Sequence, residues 1–157
     1  MRYLLAIIFF FAIAEANAQV KLLSLSQLEQ RVARGKDTTY VVNFWATWCG
    51  PCVEELPNFE KLQQQNQGKP LKVLLVSLDF KSKLQKEVVP FVLKNKIKSE
   101  VYVINEPDQQ QFIEKVDPKW SGAIPATLFI NTKRQLRTFY EKEFTYQELT
   151  KTLANLK

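Results

Sequence analysis

The chain holds two cysteines, Cys49 and Cys52, both inside Trp48-Cys49-Gly50-Pro51-Cys52. This spacing lets both sulfurs meet within one helical turn, so a disulfide can form and break with little backbone motion. The motif lies where an apolar run ends and a helical pattern begins. A helix N-terminus offers free N–H groups and the positive end of the helix dipole, and both stabilise a thiolate. Cys49, at the start of the helix, is then expected to be the exposed nucleophile, and Cys52, one turn in, the covered resolving thiol. Two other uses compete. A zinc half-site needs four ligands, and a chain with no histidine and two cysteines lacks them. An inert structural disulfide gains most by closing a long loop, and this loop is minimal. Exported proteins do keep cysteines oxidised, so the inert reading stays open. The missing histidine also removes Ser-His and Cys-His pairs and the commonest ligand of haem iron.

The flanking pattern must place this motif. Tyr40 to Trp45 is a buried-strand run of β-branched and aromatic residues, and a helix is expected from Gly50 to Gln67, ended by Gly68. Leu71 to Leu78 reads as a second buried strand, Lys83 to Lys96 as a helix with apolar Leu84, Val88, Phe91 and Val92, and Val101 to Ile104 as a short strand. A short helix over Asp108 to Val116 is capped by Asp108. Ala126 to Ile130 and Gln135 to Tyr140 are strands joined by a turn at Asn131-Thr132-Lys133-Arg134. Thr145, three residues before Glu148, opens a final helix to Leu156 with a capping box. Upstream, Leu22 to Arg34 has helical spacing and stops at Gly35. The whole predicts an α/β fold: a mixed central sheet with helices on both faces.

At 157 residues, 46% apolar and 24% charged, the chain fits one globular domain. Residues 1–18 read as a signal peptide: Arg2, an apolar run from Tyr3 to Ala14, then Ala16-Asn17-Ala18 as a cleavage pattern. Glu15 interrupts the run short of a bilayer span, although an uncleaved membrane anchor is the alternative. The expected domain is therefore 19–157, exported and soluble. Arg2 and Glu15 leave together, so the net charge of +6 is unchanged. The basic residues fall in three separate stretches, at Lys81, Lys83 and Lys86, at Lys94, Lys96 and Lys98, and at Lys133, Arg134 and Arg137. With no run of five like charges, solvated faces are expected rather than a nucleic-acid surface.

Residues 41–52, VVNFWATWCGPC, resemble thioredoxins, and among them the exported TlpA/ResA-like thiol-disulfide oxidoreductases. The likeness runs through the mature chain. Trp48 precedes the first cysteine, and Cys52-Val53-Glu54-Glu55-Leu56-Pro57 is similar to the CxxExP continuation of that group. There Pro57 would kink the helix by removing a bond to the Val53 carbonyl. Gly122-Ala123-Ile124-Pro125-Ala126-Thr127 resembles the segment carrying the family's cis-proline. Between Cys52 and Pro125 lie 72 residues, room for the strand–helix unit this group inserts, here about 98–118. The resemblance implies a cis Pro125 against the CxxC motif and an Ile124 backbone that pairs with bound peptide, a form of strand addition. It also implies Trp48 on the substrate surface and Trp45 in packing. One position departs: the family's buried acid falls on Asn43, and the strand from Val73 to Leu78 lacks the lysine that partners it. Asn43 is no base; Glu55, in the active-site helix, is the candidate substitute, acting directly or through water, and a solvent-facing helix residue is the alternative.

The resulting expectation is a protein disulfide oxidoreductase outside the cytoplasm, working as a reductase without cofactor or metal. Its partners would be a disulfide-bearing protein substrate and a membrane thiol protein that donates electrons. Maturation of apocytochrome c is a job the resemblance suggests and no residue selects. The rivals are a peptide-binding module with an idle disulfide and a disulfide donor working in the opposite direction.

Overall fold

In the computed structural model, which describes residues 20–156, the first element is one the helical spacing conceals. Lys21–Leu23 is a strand, β1, and the helix α1 begins only at Leu25 and runs to Ala33. Ser24 caps it: its hydroxyl accepts from the Gln27 N–H while the Gln27 side chain accepts from the Ser24 N–H. This Ser-x-x-Gln box marks the true helix start, and Leu22 belongs to the strand. Gly35 does not supply a left-handed stop either. That backbone falls to Lys36, at φ 51°. Gly35 instead makes room for a ring, since a Cβ there would stand 2.3 Å from the Tyr40 hydroxyl.

The remaining elements are β2 (Thr39–Trp45), α2 (Gly50–Gln65), β3 (Leu71–Ser77), α3 (Val89–Lys94), β4 (Glu100–Ile104), α4 (Gln109–Val116), β5 (Ala126–Asn131), β6 (Leu136–Tyr140) and α5 (Tyr146–Asn155). The helix expected over 83–96 is divided. A 3-10 turn at Lys81–Lys83 leads into a π-helical turn at Leu84–Val88, and only then does α3 follow. Pro90 has no N–H to bond back four residues, and the Val89 N–H reaches five residues back to the Leu84 carbonyl. The hairpin turn also shifts by one residue. Asn131 stays in β5 opposite Leu136, and the turn closes from Gln135 N–H to the Thr132 carbonyl, with Gln135 at φ 53°. The capping expectations for Asp108 and for Thr145 with Glu148 are met in the side-chain bonds.

The six strands form one mixed sheet in the order β1-β4-β3-β2-β5-β6, parallel from β1 to β2 and antiparallel from β2 to β6. The strand–helix unit expected at 98–118 is β4 with α4. Side-chain alternation divides the core into two layers. Val41 and Trp45 of β2 pack with Leu56, Phe59 and Leu62 of α2 and Leu149 of α5. Tyr40, Val42 and Phe44 face the opposite way, onto Leu28 and Val32 of α1 and Phe112 of α4. Asn43 has the parity of Val41 and Trp45, so it points into the α2 layer.

Candidate active site

Strand β2, in the interior of the sheet, delivers the motif at its C-terminal end. After Trp45 the backbone turns once, with the Cys49 N–H bonded to the Ala46 carbonyl, and Cys49 becomes the N-cap of α2. Its sulfur accepts from the Cys52 N–H at 3.3 Å, one of the otherwise unpaired N–H groups of a first helical turn. The two cysteines are joined as a disulfide with Cα atoms 5.3 Å apart. Cys49 keeps 7% exposure and Cys52 none. The expected asymmetry is present, but Cys49 is far more covered than its place at the helix start suggested, because the loop at Ile124 stands over it. The Ile124 carbonyl oxygen is 3.8 Å from the Cys49 sulfur, and the Ile124–Pro125 peptide is cis. Trp48 projects beside them with 67% exposure, whereas Trp45 is buried and meets Phe91 at 5.1 Å between ring centres.

Glu55 lies one turn beyond Cys52 on the same helix face, and it is not a solvent-facing residue: its exposure is 3%. One carboxylate oxygen accepts from the Asn43 amide at 2.7 Å and the other from the Phe144 N–H at 2.7 Å. Burial pushes its pKa up to about 7, against the lowering effect of those two bonds. Asn43 and Glu55 thus meet inside the core, linking β2 to α2 and to the segment before α5. The Asn43 amide also approaches the Thr127 hydroxyl at 3.4 Å, while its carbonyl oxygen is buried with no partner. Among the described residues, no three of the His, Cys, Asp or Glu side chains cluster as a metal site.

The sequence profile of the AhpC/TSA family matches residues 11–139, most of the chain. The chain belongs to the AhpC/TSA family. Among individual proteins it is similar to the thioredoxin-like protein YneN of Bacillus subtilis, 40% identical over 72 residues, which are 46% of this chain and 41% of that one. It is 27% identical over 137 residues to the thiol-disulfide oxidoreductase ResA of Geobacillus thermodenitrificans, covering 85% of this chain and 73% of the relative. The chain spans less than half the length of YneN. A thioredoxin-related protein from Neisseria meningitidis superposes with a TM-score of 0.65 at 22% identity, over 76% of this chain and 84% of that one. The fold of this AhpC/TSA-family chain is therefore the thioredoxin fold.

One set of residues around the motif escapes sequence reasoning. Asp79, just past β3, is buried and accepts from the Thr47 N–H at 2.9 Å, the Thr47 hydroxyl at 2.7 Å and the Ser77 hydroxyl at 2.7 Å. The Leu78 N–H donates to the Trp45 carbonyl at 2.8 Å just above. In this family member the loop carrying Trp48 and Cys49 is thus anchored to the loop after β3 through a carboxylate. Ser77-Leu78-Asp79 is a local signal for a side-chain turn, but nothing local names Thr47, 32 positions away, as its second partner.

Proposed function

We propose that this protein is a thiol-disulfide oxidoreductase that reduces protein disulfides outside the cytoplasm. The observation that carries the reading is the Cys49–Cys52 pair at the start of α2, Cys49 keeping 7% exposure and Cys52 none, beside the Ile124–Pro125 loop. In the reduced protein the Cys49 thiolate attacks one sulfur of a substrate disulfide. A mixed disulfide forms and the other substrate sulfur leaves as a thiolate, which takes a proton from solvent. Cys52, deprotonated by Glu55 directly or through one water, then attacks the Cys49 sulfur. The second substrate thiol leaves, and two electrons have passed from protein to substrate. Glu55 suits the step because its pKa of about 7 lets it bind a proton near neutrality and pass it on. Trp48 and the Ile124 backbone receive the extended substrate around the reacting sulfurs.

The reductase direction is supported by the Gly-Pro pair between the cysteines, which resembles that of thioredoxin, whose potential is about −270 mV against about −120 mV for the oxidant DsbA. Residues 1–18, outside the described residues, act as the export signal. A reductase in an oxidising compartment needs a dithiol donor, and a membrane thiol protein fills that role. Equilibrating the pair against glutathione and dithiothreitol tests the direction. A potential near that of thioredoxin is expected, and one near DsbA's would reverse the flow of electrons. Cys49→Ser is expected to abolish reduction of insulin disulfides. Full function in that variant would mean a peptide-binding module with an idle disulfide.

A further inference from the structure

Three stretches of basic residues that are separate along the chain are unequally placed in the fold. Two of them, six lysines in all, fall on the single segment 80–98, which holds one acidic residue, Glu87. That segment carries a net +5 where the whole chain carries +6. Lys83 is paired with Glu87, and among the described residues Lys81 and Lys86 have no acidic partner; both are exposed. The segment opens on Phe80, which is 67% exposed, equal to Trp48. Large apolar side chains at that exposure are rare in this molecule, the only other being Leu93 among the described residues.

The topology sets Phe80 at the active site. In the sheet β2 lies between β3 and β5. The loops at the motif's end of these strands therefore follow in line: Phe80 after β3, Trp48 and Cys49 after β2, and Ile124 before β5. Asp79 holds Thr47 by two hydrogen bonds, and Phe80 and Trp48 are the very next residues on the two bonded loops. Cys49 thus has the Ile124–Pro125 loop on one side and the loop of exposed Phe80 on the other, with Lys81 next to Phe80 and Lys86 in the π-helical turn that follows.

We infer that Phe80, Lys81 and Lys86 form a docking surface for the segment next to the reactive disulfide of a partner protein, a segment bearing an apolar side chain followed by acidic residues. This deepens the oxidoreductase reading and rests on it. The apolar residue covers Trp48 and Phe80, removing two exposed aromatic surfaces from water. The acidic residues meet the lysines, and the +5 field of the segment steers them in at low ionic strength. Because the three loops follow one another along the sheet end, one extended chain laid across Cys49 would run from the Ile124 side to the Phe80 side.

The test uses the reduced full-length protein and pairs of disulfide-closed peptides, identical except that an apolar residue beside the cysteine is followed by two aspartates or by two lysines. One pair carries this flank before the cysteine and another pair after it. Rates are compared with that of a small neutral aliphatic disulfide, which carries no group to dock on the aromatic side chains. In at least one pair the aspartate peptide is expected to react about tenfold faster at low salt, with the advantage shrinking at high salt. Lys81→Glu combined with Lys86→Glu should reverse that preference, and Phe80→Ser should slow both peptides several-fold. None of these variants should change the rate with the small disulfide. Equal rates for both peptides of both pairs, with the small disulfide reacting normally, overturn the docking surface alone. No reaction with any disulfide overturns the oxidoreductase reading and this inference with it. Lysine-dependent retention on phosphatidylglycerol vesicles without peptide preference overturns it in favour of a membrane surface.

Discussion

The two faces of β2 are built from the same seven residues to opposite ends. Tyr40, Val42 and Phe44 enter a layer whose centre is aromatic: Phe44 meets Trp120 at 4.8 Å and Phe112 at 6.0 Å between ring centres. Val41, Asn43 and Trp45 enter the layer of α2, where a carboxylate, an amide with an unpartnered oxygen and an unpaired indole N–H are all enclosed near the cysteines. The first layer gains from every contact it makes. The second encloses polar and titratable groups at a cost in stability, and it is the layer that the proposed mechanism draws on. The period of two along one strand thus separates an apolar and aromatic layer from one that also encloses polar groups.

The strongest way to break that contrast is on the apolar side. Phe44→Ala should cost about 3–5 kcal/mol, read from chemical denaturation, and leave the Cys49–Cys52 potential of the folded protein unchanged. A shifted potential would mean that the layers are coupled. Next comes Asp79→Ala, which strands the Thr47 N–H and two hydroxyls and should cost about 2–4 kcal/mol. Unlike Phe44→Ala, it should also slow disulfide reduction, because the Trp48–Cys49 loop loses its anchor.

Glu55 sharpens the contrast through pH. Its folded pKa of about 7 is above the unfolded value of 4.5, so the folded state holds the extra proton between them. Its favourable contribution is complete below pH 4.5 and is lost as pH rises to about 7, leaving the protein up to roughly 3 kcal/mol less stable there. Glu55→Gln can keep both hydrogen bonds if the Asn43 amide turns over, and it cannot ionise. Thermal unfolding at pH 5 and pH 8 should therefore show the variant gaining on the parent at pH 8. A matching loss of the neutral-pH step in the rate profile is expected. Smallest of all, Ser24→Ala on the apolar side and Thr145→Ala on the other should each cost about 1 kcal/mol. The costs should agree, since each cap acts within one helical turn and is indifferent to the layer beneath it.

The features legible in the chain alone are those made by neighbours. Cys49 and Cys52 meet because only Gly50 and Pro51 stand between them, and the Asp108 and Thr145 caps close on N–H groups three positions on. The core strands are legible as short runs dominated by β-branched, aliphatic and aromatic residues. The cis form of Pro125, by contrast, was expected from family likeness and not from its own surroundings. Tertiary structure alone decided the rest. β1 is a strand because Lys21–Leu23 finds β4 alongside. Glu55 is buried because β2 and the Phe144 backbone close over it, Asp79 reaches Thr47 across adjoining strands, and the order of the sheet puts the loops of Phe80 and Trp48 side by side. Hydrogen bonds within a turn are set by residue type and spacing. Contacts across dozens of residues depend on strand order and register, which are chosen by the packing of the whole core.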